Sequence, residues 1–587
     1  MQPQSSYPPS IRARVHDAAI ERVSRFFNAT LDDIFVELLQ NARRASATQV
    51  TVSATLLSPD RWSVTVTDDG AGIADPTVIL SFGESAWTTQ TASLEDPAGM
   101  GFYALAKQGC MIASRPIGAT PAPAWRARIC PDAFLGKTVA PVLTDDSAPS
   151  PNGTAITFVT EHNRDHIEAA LGAAARHYPL PVRFNGRKMD FSYFLDRAVH
   201  TEAWAGLTFG VYRDRYRPYD DPDVNFHGRT FSAGLPSVEC ITGGVWSVRA
   251  DIRACPEFEL VLPARKEPVV NDFLHRMREQ ALLAIYRAIA ACEPAPRLSY
   301  SHHKRATDAG IVIQQPPPAL EPWRPPVADI EHWHAPPGWD APRPSALLMT
   351  AEPETHHGQA IWRAAERAGV SQRLFAPDRR LEGYPWYDAL PRVTDFSIDV
   401  THGERTHTVV QPMPDEPASA EPSAPAEPFK FDARPDAIAI RLHIADAAGR
   451  TRDLELAADV VFMNDEDCYV DDIDPLVTAG SDIDADEFAA LIHRSFFTPS
   501  DDADADSHET QKNRFDEEAM RIALTLLASE DEGLRHVIAH RIGSGQVADV
   551  LQHVVDALVA GGHAEDEPAA WTLLEPAALI HRLIGAK

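Results

Sequence analysis

The chain of 587 residues is poor in cysteine, in long apolar runs and in positive charge. Its six cysteines lie far apart and form no Cys-x-x-Cys pair, which argues against a zinc site and against a disulfide framework. No apolar run approaches the roughly 20 residues that a membrane span needs. The first residues also lack the apolar core of a secretory signal. These absences predict a protein of the reducing cytoplasm without a membrane partner.

Positive charge is scarce throughout. Acidic residues outnumber Lys and Arg by 84 to 54, which gives a formal net charge of −30. The interval 464–518 alone holds 18 acidic residues against 3 Lys or Arg. Such a surface repels nucleic acid and anionic membranes over most of its area, although a local basic groove remains compatible with it.

Changes in residue pattern and proline content divide the chain into four regions. Residues 1–165 and 166–295 alternate helical and strand-like patterns, which predicts an α/β fold. Residues 296–428 are rich in proline and predict a linker or irregular segment. Residues 429–587 combine a strand-rich unit, an acidic stretch and helical patterns, which predicts a separate α+β region.

A helix with a polar pair is predicted near the start of the chain. The segment LDDIFVELLQNARRA, residues 31–45, carries apolar residues at the i, i+3, i+4 spacing of an amphipathic helix. Glu37 and Asn41 stand one turn apart and share a face. The carboxylate can act as a general base toward water, and the carboxamide oxygen suits Mg²⁺. Taken alone, such a pair is more typical of a solvated helix face.

The segment TVTDDGAGI, residues 65–73, follows a strand-like run. Asp-Gly in this setting is a common turn signal, and a turn is the simplest interpretation of the segment by itself. Asp68 could also accept a hydrogen bond from an exocyclic amine. Gly70 and Gly72 would then let the backbone approach a flat base.

Two further segments extend the pattern. GMGFYALAKQG, residues 99–109, places Gly-x-Gly at the start of a predicted apolar helix, whose free N–H groups suit phosphate. NGTAITF, residues 152–158, puts Thr154 at the head of a strand. The polar segment 81–98 lies between the two glycine-rich stretches and is predicted to be a mobile lid.

In this order and spacing, the segments resemble the GHKL ATPase superfamily. That group contains the ninety-kilodalton heat-shock chaperones, type II topoisomerases, MutL-type mismatch-repair proteins, MORC proteins and sensor histidine kinases. The resemblance covers residues 1–160, and GMGFYA looks most like the heat-shock branch. It implies an N-terminal two-layer α/β sandwich with a mixed sheet that binds ATP and Mg²⁺, followed by an α/β coupling domain.

The resemblance also implies a role for each matching residue. Glu37 corresponds to the water-activating base and Asn41 to the Mg²⁺ ligand. Asp68 corresponds to the adenine-reading aspartate, with Gly70 and Gly72 beside it. The phosphate loop and the threonine near the adenine correspond to Gly99, Met100, Gly101, Phe102 and Thr154.

Two positions depart from the family. Arg44 stands where an acidic residue is frequent, and Asp96 stands where the phosphate loop often begins with glycine. In many members, the following domain sends a basic residue to the γ-phosphate, where a fixed cation stabilises the developing charge. Arg265 and Lys266, in a loop before a predicted long helix, loosely match that residue and are equally compatible with a solvated loop.

The sequence therefore predicts an ATP-hydrolysing conformational switch that acts on a protein client, as a chaperone does. The alternative is a DNA-processing or defence ATPase of the MutL or MORC kind. Self-association as a homodimer and binding to nucleic acid stay open. A module that holds ATP without hydrolysing it is disfavoured by the intact Glu37, and a sensor kinase would need an additional phospho-acceptor helix pair.

The sequence from residue 295 onward carries no family resemblance. Its acidic run between residues 464 and 487 does not fit the spacing of a calcium-binding helix–loop–helix, so a solvated acidic surface is expected. His332 and His334 could ligate a metal, but no partner ligands are visible near them in the sequence.

Overall fold

The structure is a computed structural model in two compact units, Met1–Pro317 and Pro318–Lys587. It describes residues 30–81, 101–117, 124–144, 148–149, 151–214, 221–261, 266–329, 338–410, 434–463, 473–500 and 506–527. Among these residues, no helix is both long and apolar enough to cross a membrane.

The first unit contains helices and strands in alternation. Its described helices are α1 (Leu31–Arg44), α2 (Pro131–Phe134), α3 (Arg164–Ala175), α4 (Asp272–Cys292) and α5 (Tyr300–Asp308), with 3₁₀ turns at Pro76–Ile79 and Gly101–Leu105. Its described strands are β1 (Val50–Ser58), β2 (Arg61–Asp68), β3 (Cys110–Arg115), β4 (Trp125–Ile129), β5 (Val142–Thr144), β6 (Gly153–Thr160), β7 (Val182–Phe184), β8 (Arg187–Lys188), β9 (His200–Trp204), β10 (Leu207–Asp214), β11 (Val224–Phe226), β12 (Arg229–Phe231), β13 (Ser237–Glu239) and β14 (Val245–Ile252).

The second unit is also mixed. Its described helices are α6 (Thr355–Arg367), α7 (Pro385–Asp388), α8 (Ala485–Phe496) and α9 (His508–Leu527), with 3₁₀ turns at Ser371–Arg373 and Arg379–Leu381. Its described strands are β15 (Leu347–Met349), β16 (Leu374–Phe375), β17 (Arg392–His402), β18 (Arg405–Val410), β19 (Ala437–Ala445), β20 (Thr451–Ala458), β21 (Val460–Phe462) and β22 (Pro475–Val477).

The first domain, residues 30–188, is built on an eight-stranded sheet in the order β5-β4-β3-β6-β2-β1-β7-β8. The pair β1–β7 is parallel, and the other neighbours are antiparallel. Helices α1 and α3 contact each other and share one hydrophobic core with the sheet. The predicted α/β sandwich with a mixed sheet is confirmed. Its sheet continues to Lys188, beyond the division expected at residue 165, and that division stays a prediction.

Helix α1 forms where its sequence dictates. Thr30 caps it, because its hydroxyl accepts from the Asp33 amide while the Asp33 carboxylate accepts from the Thr30 amide. Acidic residues occupy the first turn and arginines the last, which complements the helix dipole. The predicted apolar stripe is buried throughout, with Phe35 packed edge-on against Phe158 of β6. The opposite face of α1 is left for polar side chains.

The second domain, residues 200–308, carries a six-stranded sheet. Its main order is β12-β11-β14-β10-β9, and β13 also pairs with β14. The long helix α4 packs on this sheet, and residues such as Ile285 of α4 and Trp246 of β14 belong to one buried hydrophobic core. The hairpin β11–β12 forms one edge of the sheet.

The second unit corrects one expectation. Residues 296–428 were expected to be a linker or irregular segment, but their described part contains β15–β18 and α6. These strands join β19 and β20 in one sheet, in the order β16-β15-β17-β19-β20 with β18 on β17. The physical reason is that β17 alternates apolar and polar residues from Phe396 to Val400, which is a strand pattern, and it pairs with β19 at nine positions despite the proline-rich segments around it. Within this region, residues 411–428 lie outside the described residues, as do His332 and His334.

Candidate nucleotide site

Helix α1 presents Glu37 and Asn41 toward the turn that begins at Gly101. A Cβ built on Gly101 would lie 2.8 Å from Glu37 Oε2 and 3.6 Å from Asn41 Nδ2. Arg44 NH1 donates to Asn41 Oδ1 over 3.4 Å, so the residue that departs from the family reaches the expected Mg²⁺ ligand. The structure thus brings Glu37, Asn41 and Gly101 together. Because Gly101 has no side chain, it leaves a space beside the other two, which we call the cradle.

The helix that begins at Gly101 is shorter than the sequence predicts. Gly101–Leu105 form a 3₁₀ turn, so the predicted apolar helix is wrong. Gly109 has a φ of +69°, and a Cβ there would lie 2.6 Å from the Ile129 carbonyl oxygen. The chain therefore turns at Gly109 and enters β3 at once. Phe102 packs against the core of the first domain.

Several predicted positions cannot be located. Gly99, Met100, Asp96 and Arg265 lie outside the described residues, as does the expected lid over 82–98. Their roles stay predictions.

Asp68 ends β2, opposite Thr154 on β6. The Gly70 amide donates to Asp68 Oδ1 over 2.9 Å. Burial raises the pKa of Asp68 to about 6, although backbone hydrogen bonds from Gly70 and Thr154 act in the opposite direction. At neutral pH most Asp68 is therefore ionised, which is the form that accepts a hydrogen bond from an amine.

The glycine-rich turn after Asp68 is held between α1 and β3. The Ala71 amide donates to the Ala45 carbonyl, and the Ile117 amide donates to the Ala71 carbonyl, both over 2.8 Å. Gly72 has a φ of +69°, and a Cβ there would lie 2.3 Å from the Arg115 carbonyl oxygen. The turn interpretation of this segment and the ligand interpretation are thus compatible, because the turn is what fixes Asp68.

Ser114 is a neighbour of this site that the sequence analysis missed. Its Oγ lies 3.1 Å from Thr154 Oγ1 and accepts from the Ile73 amide over 2.9 Å. Ser114 and Thr154 are both buried and face each other across the β3–β6 pair. Because that contact depends on strand register, no local signal around Ser114 could have revealed it.

Two basic side chains of the second domain contact α1. Lys266 Nζ donates to Asp33 Oδ2 over 3.0 Å, on the first turn of α1, and its side chain is 60% exposed. Arg229, at the start of β12, donates from NH2 to Glu37 Oε1 over 2.6 Å. Those two side chains are only 10% and 15% exposed. The sequence analysis missed Arg229, since it stands 192 residues from Glu37 and is brought there by domain packing.

Residues 28–112 match the family described as histidine kinase-, DNA gyrase B-, and HSP90-like ATPases. The matched span includes Glu37, Asn41, Asp68 and Gly101, so it supports a GHKL-type ATP-binding domain in this part of the chain. The family description embraces the heat-shock branch together with others and does not separate them. A search of the curated proteins found no match to the chain.

Proposed function

We propose that the protein is an ATP-binding and ATP-hydrolysing conformational switch of the GHKL type. The observation that carries the proposal is the convergence of Glu37, Asn41 and the cradle at Gly101. Asp68, at the end of β2, supplies a carboxylate acceptor in the same domain. The family match over residues 28–112 supports the same conclusion independently of side-chain geometry.

Each of these residues has a distinct task in this proposal. Asp68 accepts a hydrogen bond from the adenine amine, while Gly72, which has no side chain to meet the Arg115 carbonyl, lets the turn after Asp68 pack beside β3. Glu37 Oε2 takes a proton from the water that attacks the γ-phosphorus, and the bond to the β–γ bridging oxygen breaks to release ADP and phosphate. The turn at Gly101 gives the phosphates room beside Glu37.

Asn41 fits a role as the Mg²⁺ ligand. A carboxamide oxygen is a ligand that Mg²⁺ accepts together with phosphate oxygens and water. In this structure Asn41 Oδ1 accepts from Arg44 and Nδ2 is the atom near the cradle, so ligation requires Oδ1 to leave Arg44 and turn toward the phosphates. Bound there, the ion would neutralise charge on the phosphates. The Asn41 side chain itself would orient that assembly relative to Glu37, one turn away on the same helix.

Lys266 and Arg265 remain proposed γ-phosphate ligands. The ion pair of Lys266 with Asp33 is solvent-exposed on the lysine side, and such pairs contribute about 0–1 kcal/mol. Lys266 could therefore exchange Asp33 for a phosphate oxygen at little cost when ATP is bound.

The test of hydrolysis is Glu37→Ala. We expect ATP binding to persist while turnover falls by about 10²–10⁴-fold, the usual contribution of a general base. Asp32→Ala is a matched control, because Asp32 is an exposed acid on the same helix. Binding is measured by calorimetry and turnover by phosphate release. Parental turnover in Glu37→Ala would exclude Glu37 as the base.

We further propose that the switch acts on a protein client in the cytoplasm. The net charge of −30 supports this choice, because it opposes binding to nucleic acid over most of the surface. ATPase activity should rise with an unfolded protein and not with duplex DNA. Salt-sensitive stimulation by DNA would favour the MutL or MORC alternative instead. Light scattering with and without an ATP analogue would test a nucleotide-dependent homodimer.

A further inference from the structure

The buried ion pair between Glu37 and Arg229 joins the proposed catalytic base to the second domain. Arg229 NH2 lies 2.6 Å from Glu37 Oε1, and both side chains are almost withdrawn from solvent. An isolated buried charge is costly, so each of these groups stabilises the other in place. The pair is therefore a fixed feature of this arrangement of the two domains.

The turn that carries Arg229 is rigid. His227 and Gly228 connect β11 to β12 with φ values of 55° and 101°, which is typical of a tight two-residue hairpin turn. The Gly228 amide donates to Asn225 Oδ1 over 2.9 Å, and Asn225 Nδ2 donates to Asp251 Oδ1 over 2.7 Å. Arg229 thus starts from a preorganised backbone.

The same turn is docked on the first domain. Gln40, one turn along α1 from Glu37, donates from Nε2 to the His227 carbonyl oxygen over 2.6 Å. A Cβ on Gly228 would lie 3.0 Å from Tyr178 Cα, so the hairpin backbone touches the first domain there. Tyr178 in turn donates from its hydroxyl to the Leu39 carbonyl over 2.6 Å. These contacts fix the hairpin relative to the helix that presents Glu37.

The two oxygens of Glu37 are divided between two neighbours. Oε1 accepts from Arg229, whereas Oε2 faces the cradle at Gly101. A base must keep one oxygen available and aimed at the attacking water. Holding Oε1 removes the rotational freedom that a glutamate side chain would otherwise have.

We propose that Arg229 is a positioning residue for ATP hydrolysis: it holds Glu37 so that Oε2 points to the phosphate side. This inference rests on the proposed function of Glu37 as the base. Its consequence is that hydrolysis requires the β11–β12 hairpin to be docked on α1. Undocking of the second domain would leave Glu37 in place on the helix but without its orienting partner.

The experiment compares Arg229→Ala, Arg229→Lys and Arg249→Ala in the full chain. Arg249 is the matched control, because it forms an ion pair with Asp221 within the second domain. We expect Arg229→Ala to lower kcat by about 10- to 100-fold, the scale of a misplaced catalytic group, and to change ATP affinity by much less. Arg229→Lys should recover part of kcat, since a lysine ammonium can also donate to Glu37 Oε1. Arg249→Ala should keep the parental kcat.

A double variant separates this inference from the proposed function. If Glu37→Ala leaves a measurable residual rate and adding Arg229→Ala lowers that rate no further, the two residues act as one unit. Parental or raised kcat in Arg229→Ala, while Glu37→Ala is inactive, would overturn the positioning role and leave the proposed function intact. Turnover that survives Glu37→Ala would overturn both. Thermal melting identifies misfolded variants. If Arg229→Ala is misfolded, the kcat of Arg229→Lys decides whether Arg229 has the positioning role.

Discussion

Asp68 combines burial with a chemical task. Because its pKa is about 6, the ionised carboxylate that accepts a hydrogen bond is mostly lost when the pH falls from 7 to 5. The carboxyl is protonated as the pH falls below 6, so affinity for ATP should fall with it. We expect the Kd for ATP to rise about tenfold between pH 7.5 and pH 5, because roughly a tenth of Asp68 is then ionised.

Asp68→Asn is the control for this pH dependence, because ATP itself also titrates in the same range. The variant should bind more weakly at pH 7.5, by about 1.5–3 kcal/mol for the loss of a charge-assisted hydrogen bond. It should show only the pH dependence of ATP. If calorimetry gives parallel pH profiles for both proteins, Asp68 does not read the base.

At the scale of residues, local pattern predicts part of the site. Glu37, Asn41 and Asp68 could be predicted because the order and spacing of their segments together resemble the GHKL superfamily, whereas each segment alone indicates only a helix face or a turn. Ser114 and Arg229 could not, since strand register brings the first to the site and domain docking brings the second.

Helix α6 carries a buried histidine in its first turn. His356 is fully buried and stacks on Phe496 of α8, with ring centroids 5.3 Å apart. Burial lowers its pKa to about 4, although Glu354 Oε2 lies only 3.5 Å from Nε2. Between pH 6.5 and 4 the unfolded chain therefore binds a proton that the folded helix does not.

The stability of the α6–α8 contact should consequently fall as the pH drops from 6.5 toward 4. The limit for this one group is about 3 kcal/mol, from roughly 1.4 kcal/mol per unit of pKa difference. Hydrogen exchange of α6 and α8 in the full chain, corrected for the intrinsic rate, measures the effect. His356→Gln should flatten the pH profile, whereas His402→Gln, at an exposed position, should not. A profile unchanged by His356→Gln would assign the acid sensitivity to other groups.

At the scale of elements, the periodicity of apolar residues is a better guide to strands than the amino-acid composition of a region. The alternation in β19 predicts a strand, and it is one. Strand β17 was missed because its proline-rich neighbours suggested an irregular segment, yet its backbone pairs with β19 from Arg392 to Thr401, with one register shift after Val393. The predicted helix at residues 99–109 failed because the positive φ of Gly109 turns the chain toward β3.

At the scale of the molecule, the sheet of the second unit determines which truncations leave complete domains. Strand β19 lies between β17 and β20, so removing residues 430–587 takes away the central partner of β17. The buried side chains of Ile398 and Val400 would lose their cover on that side. Among the described strands, none pairs with a partner across the boundary at Pro317.

We therefore expect a chain that ends at residue 317 to bind ATP with the affinity of the full protein. A chain that ends at residue 429 should also bind, but its residues 338–410 should be sensitive to protease because their sheet is incomplete. Calorimetry and limited proteolysis check both points. A folded 1–317 chain that fails to bind ATP would show that the second unit contributes to the site.

The four-way division expected from composition stays a prediction, but the strand and helix patterns of the first two regions correspond to described elements. Strand and helix patterns mark real elements there, because each alternation corresponds to a buried face. Composition alone could not reveal that residues on both sides of the segment 411–433 form one sheet, since such pairing is non-local.

The Glu37–Arg229 pair has a consequence for sequence variation. A relative that lost the acid but kept the arginine would bury a guanidinium without this carboxylate, and the opposite loss would bury the carboxylate without this guanidinium. Breaking a buried pair in this way costs about 3–5 kcal/mol. Selection for a stable chain should therefore make the two positions change together, although they stand 192 residues apart. Among homologues, the residue at position 229 should then indicate which members retain the glutamate.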